Sequence, residues 1–247
     1  DSVLNQTYNN IEYIVVDGKS TDSTMEIVKS YELQFKEKNI AYRYISEIDN
    51  GIYEAMNKGI KFARGKWIGI INSDDWYEVD ACEQLVISLN GIKKFEIFAG
   101  SIKRFFYVDN HTYYQITTPS LDQINVKMTL CHPAVFVKAN LYTDALFDVS
   151  YKIMADWALM KYFVNKNVQF LLTDKRLANF TEGGISSKRT WGFYREWIRV
   201  LKSTHRFLAY YLVGKVIFRK EILALLKPIW LTKYRQQKIL QRFYIKE

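Results

Sequence analysis

WIGIINSDDWY, residues 67–77, decides the fold. An apolar run from Trp67 to Ile71 stops abruptly at Asn72, Ser73 and two adjacent carboxylates, Asp74 and Asp75. A short continuous apolar run of this kind suits a strand buried in a parallel sheet. It ends, however, in the side chains that are costliest to bury. Two neighbouring acids repel unless something offsets their charge, and Mg²⁺ or Mn²⁺, which shares carboxylate oxygens with phosphate, does so. The simpler reading is that the strand has ended and the acids open a helix, whose macrodipole favours negative charge there. S-D-D alone leaves both open.

Upstream, IEYIVVD (11–17) is a second buried strand, ending at Asp17, and AYRYIS (41–46) a third. Between them Ser23 and Glu26 form an S-x-x-E capping box, followed by an apolar face of Ile27, Val28, Tyr31 and Phe35. Asp22 reads as a cap rather than a ligand. Ile52, Met56 and Ile60 predict a helix ending near Gly65, and Val79, Cys82, Leu85, Val86 and Leu89 another. Strand alternating with helix at this spacing predicts an open α/β sheet, Rossmann-like and mostly parallel, flanked by helices. Ligands bind such sheets outside the carboxyl ends of the strands, where Asp17, Asp74 and Asp75 lie. Beyond residue 95 the pattern changes: 96–108 and 113–117 predict strands of a mixed or antiparallel extension. MADWALMKYFV (154–164) predicts a helix with Asp156 in its first turn.

The chain has 247 residues, 49% of them hydrophobic, with only 3 prolines and 11 glycines, which argues for a sizeable core and against disorder. Cys82 and Cys131 stand alone, with no C-x-x-C spacing, which excludes a disulfide framework or zinc knuckle and fits a reducing compartment. No run of 18 apolar residues predicts a membrane span. The net charge of +9 is unevenly placed: Trp191–Glu247 carry 13 Lys/Arg against 3 Asp/Glu, the first 190 residues 22 against 23. A neutral body and a basic tail predict two functional regions.

VVDGKSTDST, SEIDNGIYEAMNKGI and GIINSDDWY, in this order and spacing, resemble the donor-binding half of family 2 glycosyltransferases of the GT-A fold. The likeness is to bacterial members that build O-antigen, capsule or exopolysaccharide. It continues through CHPAVF (131–136) and MADWAL (154–159), covering residues 1–190, with 1–95 as donor half and 96–190 as acceptor half. The resemblance implies that Asp17 contacts the nucleotide base, and that Asp74 and Asp75 match the last two acids of the family's D-x-D-D, for ribose and metal. Asn72 stands in place of the first acid. Asp156 matches the family's general base. Asp49, Asn57 and Lys58 fall in the stretch with which the family lines its nucleotide pocket, and His132 in a block near the acceptor. Family members begin with a strand and turn ahead of S-x-x-N-Q-T-Y, whereas this chain opens at DSVLNQTY, so the sheet's first strand is expected to lie outside it.

The implied reaction is inverting, metal-dependent transfer of a sugar from a nucleotide donor, a UDP-sugar by preference, to a glycan or lipid-linked saccharide. The metal, Mg²⁺ or Mn²⁺, takes up charge on the departing diphosphate, and a carboxylate deprotonates the acceptor hydroxyl from the opposite side. The alternatives are a non-catalytic nucleotide-sugar or polyanion binder, or a nucleotidyltransferase, although no glycine- and basic-rich triphosphate loop is present. The basic segment 191–247 reads as solvated helices, as a nucleic-acid surface or as an amphipathic helix on anionic lipid. Behind a polysaccharide transferase the lipid reading is favoured and nucleic acid disfavoured. That places the protein in the cytoplasm, peripheral on the inner face of the membrane.

Overall fold

The structure, a computed structural model, describes residues 1–91, 94–108, 111–184, 190–202, 210–211, 214–215 and 245–246. β1 (Glu12–Asp17) and β2 (Ala41–Ser46) pair in parallel, with Asp17 opposite Ser46 at their carboxyl ends. The single helix expected between them is two, α1 (Thr24–Ser30) and α2 (Glu32–Glu37), divided at Tyr31. Ser23 makes no side-chain cap; Asp22 does, its carboxylate accepting the Thr24 N–H at 3.0 Å. These short helices cover only a two-stranded sheet, so Phe35 is buried, stacked on Tyr42 at 4.3 Å, while Ile27 stays exposed.

α3 (Ile52–Phe62) buries Tyr53, Met56, Asn57 and Ile60, a spacing that follows the helical repeat. Met56 and Ile60 are buried as expected, but Ile52 is 44% exposed and the buried face extends instead to Tyr53 and Asn57.

The strand expected over 67–72 is shorter. β3 (Trp67–Gly69) is followed by β4 (Trp76–Tyr77), α4 (Ala81–Leu89), β5 (Ile97–Val108) and β6 (His111–Thr117). A 3₁₀ turn (His132–Ala134) leads into β7 (Val135–Lys138), and α5 (Leu141–Asp144), α6 (Ala155–Asn165) and β8 (Phe170–Thr181) follow. β3 pairs antiparallel with β7, β5 with β6 and β7, and β4 with β8, while β5 and β8 run parallel. β9 (Ile245–Lys246) adds to β6 in a seven-stranded mixed sheet. The α/β class is as expected, with parallel pairing confined to β1–β2 and β5–β8 among the described residues. At the end of β3 a Cβ on Gly69 would lie 2.7 Å from both the Phe136 ring and the Tyr77 hydroxyl. Only glycine lets β3 approach β7 and β4 this closely.

The largest apolar cluster gathers Tyr53 and Met56 of α3, Ile97 and Ala99 of β5, and Trp157, Met160 and Phe163 of α6. Each large apolar side chain buried there contributes on the order of 2–3 kcal/mol. α7 (Trp191–Lys202) joins the same cluster through Tyr194, Val200 and Leu201, with Phe193, Trp197 and Ile198 packed beside them. The boundary expected at residue 190 therefore falls inside a packed core, because α7 turns its apolar face to α6. That face is not available to lipid. The rest of the basic segment, apart from residues 210–211, 214–215 and 245–246, lies outside the described residues. Among the described residues no helix is long and apolar enough to cross a membrane.

Candidate active site

Pairing register builds the site. In the β3–β7 ladder Gly69 faces Phe136. The pairing ends there, and the chain turns through Asn72, whose side chain meets His132 just ahead of β7. In the β4–β8 ladder Trp76 faces Asn179. Continued backwards, it sets Asp75 and Asp74 against Phe180 and Thr181. The contacts agree. The Asn72 amide nitrogen lies 3.2 Å from Asp75 Oδ2 and 3.2 Å from His132 Nε2. The Thr181 N–H reaches Asp75 Oδ1 at 3.4 Å, and the Thr181 hydroxyl donates to the Asp74 carbonyl at 3.2 Å. Asp74 is exposed and Asp75 buried. Burial, then the adjacent Asp74 charge, push the Asp75 carboxyl up to about 6, against the opposing pull of His132, the Thr181 N–H and Asn72.

The network runs on to the other acid. With the Asn72 amide donating, His132 Nε2 accepts, which puts the ring proton on Nδ1. Nδ1 faces Asp156 Oδ2 at 3.7 Å. Asp156 sits in the first turn of α6, its Oδ1 accepting the Trp157 N–H at 2.8 Å and the Tyr53 hydroxyl at 3.3 Å. Burial and the Asp156 charge raise the Tyr53 phenol far above its ordinary range, so it acts only as a donor. Asp75, Asn72, His132, Asp156 and Tyr53 thus form one connected chain of polar contacts. Behind it a small cavity is walled by Ile70, Val135, Val137, Tyr142, Phe147 and Met160.

A second group forms at the carboxyl ends of β1 and β2. Asp17 is 6% exposed and accepts the Ser20 N–H at 3.1 Å and the Ser46 hydroxyl at 2.6 Å, with the Ser20 hydroxyl as a further donor. Burial raises its carboxyl, but these donors outweigh burial and hold it below the ordinary carboxylate range. Asp49 packs against the next residue: a Cβ on Gly18 would meet Asp49 Oδ2 at 2.8 Å. Asp49 also accepts the Gly51 N–H at 2.9 Å, shaping the turn into α3.

Two expected donor-pocket residues are engaged elsewhere. Asn57 uses both ends of its amide on the Phe147 backbone, at 2.8 and 3.0 Å, joining α3 to the segment before α6. Lys58 donates to the Ile48 carbonyl at 2.9 Å and pairs with Glu47 and Glu54 at 3.1 and 3.5 Å. Asn57 thus ties α3 to the segment before α6, and Lys58 ties it to the loop that precedes it. A groove of about 510 Å³ between α2 and β2 is lined by Glu32, Lys36 and Tyr42 and contains none of these acids. Tyr53, Thr181, Ser20 and Ser46 escape the sequence reading. Only Tyr53 carried a signal, four residues before Asn57 on the same helical face.

Asp74 and Asp75 suit a hard cation: both offer carboxylate oxygens, and Asp75 is a buried acid whose charge is only partly offset. Among the described residues no group of three or more His, Cys, Asp or Glu gathers as a metal site. Any ion there would complete its shell from phosphate oxygens and water.

The architecture is that of a GT-A nucleotide-sugar transferase. Over 87% of its length the chain superposes on Staphylococcus aureus TarS 1–349 in complex with UDP-GlcNAc, with a TM-score of 0.61 at 18% identity, and covers 66% of that chain. It also matches the Pyrobaculum calidifontis mannosyltransferase PcManGT in complex with GDP-Man and Mn²⁺ (TM-score 0.55, 15% identity, 98% of this chain and 78% of that one). In another structure of S. aureus TarS it covers 38% of the chain, with a TM-score of 0.58 at 19% identity. Residues 1–146 match the family described as glycosyl transferase family 2, and the chain belongs to that family. Its relatives include a PGL/p-HBAD biosynthesis glycosyltransferase of Mycobacterium bovis, 27% identical over 191 residues, or 76% of this chain and 72% of that protein. The protein is a glycosyltransferase.

Proposed function

We propose that the chain transfers one sugar, with inversion, from a nucleoside diphosphate donor to a saccharide or lipid-linked saccharide during surface polysaccharide assembly. The observation that carries this reading is the contact chain from Asp75 through Asn72 and His132 to Asp156. It ties a phosphate-side acid to a candidate base at one strand-end crevice. Uridine is the favoured nucleoside, supported by the UDP-GlcNAc complex of TarS; the GDP-Man complex of PcManGT makes GDP-sugars the comparison.

In this reading Asp17 and Asp49 bound the nucleotide end. Asp74 and Asp75 hold Mg²⁺ or Mn²⁺, which, when bound, withdraws charge from the departing diphosphate. Asp156 Oδ2 accepts the proton of the attacking hydroxyl, while Tyr53 and the Trp157 N–H hold Oδ1 and fix the carboxylate plane. His132, its proton on Nδ1, stabilises the carboxylate until the hydroxyl arrives.

The test is nucleotide release from UDP-GlcNAc, UDP-glucose, UDP-galactose and GDP-mannose with Mg²⁺ or Mn²⁺, water serving as acceptor. One donor is expected to turn over. Asp156→Asn is expected to lower that rate by about 10²–10⁴-fold with nucleotide affinity retained. Binding of nucleotide without release in any arm would leave a non-catalytic binder and defeat the proposal.

A further inference from the structure

The 191–247 segment holds 3 acids among 13 bases, and one of them, Glu196, points into the protein. From α7 its carboxylate accepts three successive backbone N–H groups: Lys152 at 2.7 Å on Oε1, and Ile153 at 2.9 Å and Met154 at 3.1 Å on Oε2. Met154 is the N-cap residue of α6 and makes no side-chain cap of its own. Glu196 thus ties down the three backbone N–H groups that lead into the helix, while the Trp157 N–H in its first turn is taken by Asp156 itself. Consecutive N–H groups converging on one carboxylate form an anion nest, and the N-terminal end of α6 adds its dipole.

α7 grips this segment a second time. Arg199, three residues on, donates to Ser150 Oγ at 2.8 Å and pairs with Asp148 at 2.9 Å, its guanidinium lying 4.0 Å over the Tyr151 ring. From the gripped segment Lys152 Nζ reaches the Asn50 carbonyl at 2.8 Å, on the loop that carries Asp49. Asp156 follows Met154 by two residues. Any tilt of the first turn of α6 therefore moves its carboxylate directly.

We propose that Glu196 is a positioning residue for Asp156, and that α7 belongs to the transfer machinery rather than to a separate tail. The inference rests on the reading of Asp156 as the base. It assigns α7 the task of setting the distance between the base and the donor loop. A displacement near 1 Å at a reacting group lowers rates by about 10²-fold, so the effect falls on turnover rather than on nucleotide binding.

The experiment uses the full chain and the donor from the panel above that is consumed fastest. It measures nucleotide release per folded molecule, UDP affinity, and hydrogen exchange at amides 152–157 for Glu196→Ala, Glu196→Gln and Asp156→Asn. Glu196→Ala is expected to lower turnover about 10- to 100-fold with UDP affinity within about twofold, and to speed exchange at 152–154. Glu196→Gln, whose carbonyl oxygen still accepts, is expected to recover most of the loss, and it remains the informative variant should the alanine protein fail to fold. Unchanged turnover per folded molecule in both Glu196 variants, with Asp156→Asn inactive, overturns this inference and leaves the base standing. Equal losses in UDP affinity and turnover overturn it too, because they mark general damage. Full activity in Asp156→Asn, or a wild type that consumes no donor, removes the base and this inference together.

Discussion

The Asp75→Asn substitution separates stability from function at the strand end. Burial and the Asp74 charge push the Asp75 carboxyl from 3.8 up to about 6. The folded protein thus binds this proton more tightly than the unfolded chain. Its stabilising effect is present at low pH, is lost as pH rises through about 6, and above that the ionised carboxylate destabilises the fold. A shift of this size corresponds to at most about 3 kcal/mol by proton linkage. Asp75 still borders solvent and the exposed Asp74, and screening reduces the figure to about 1–2 kcal/mol. Asparagine keeps an acceptor for the Thr181 N–H, and a turn of the Asn72 amide restores the second contact. In urea or thermal unfolding at pH 7.5 without metal, Asp75→Asn is therefore expected to be the more stable protein, by about 2–8 °C in Tm for a chain of this length. The difference is expected to shrink towards pH 4. Millimolar Mn²⁺ is expected to raise the wild-type Tm and not that of the variant. A variant no more stable at pH 7.5, or a gain equal at both pH values, would refute the argument that an uncompensated buried charge sits at Asp75.

Tyr53→Phe removes a hydroxyl held on the Asp156 carboxylate, and about 1.4 kcal/mol of lost orientation corresponds to roughly tenfold slower nucleotide release, read at saturating donor. Asn57→Ala leaves the Phe147 N–H and carbonyl without their partners, so equilibrium unfolding is expected to show a loss of about 1–3 kcal/mol while donor KM is unchanged. Lys161, 1% exposed, donates to the Val200 carbonyl at 2.7 Å, and burial lowers its ammonium to about 8. The unfolded chain holds that proton more tightly, so stability is expected to rise between pH 8 and 10. Lys161→Met is expected to abolish that rise, as read from chemical denaturation across the pH range.

Local pattern alone located β1, β2, α3, α6 and the β5–β6 hairpin, because apolar spacing and turn residues act within a few positions of one another. It also placed Asp17 at a strand end and Asp156 in a first helical turn, whereas Asp74 and Asp75, expected at the end of a strand, lie in the turn between β3 and β4. Those readings need no partner from elsewhere in the chain. What the pattern could not decide was which neighbour each element would meet. WIGIIN looked like a strand over six residues, but Gly69 wedges between Phe136 and Tyr77, and the chain leaves the sheet there. On α3 the spacing located Met56 and Ile60 but not Tyr53 and Asn57, whose burial depends on Asp156 and Phe147, far along the chain.

The residues that the sequence by itself determined about this protein are its acids and the elements that carry them. Tertiary structure alone decided their company. Asn72 looked like a lost carboxylate, yet the turn after β3 sets its amide between Asp75 and His132. Glu196 looked like a stray acid in a basic tail, until α7 turned it onto the N-terminus of α6. Hydrogen bonds between residues sixty or more positions apart, such as Asn72 with His132 and Tyr53 with Asp156, leave no periodic trace in the chain, and they join the local pieces of this site.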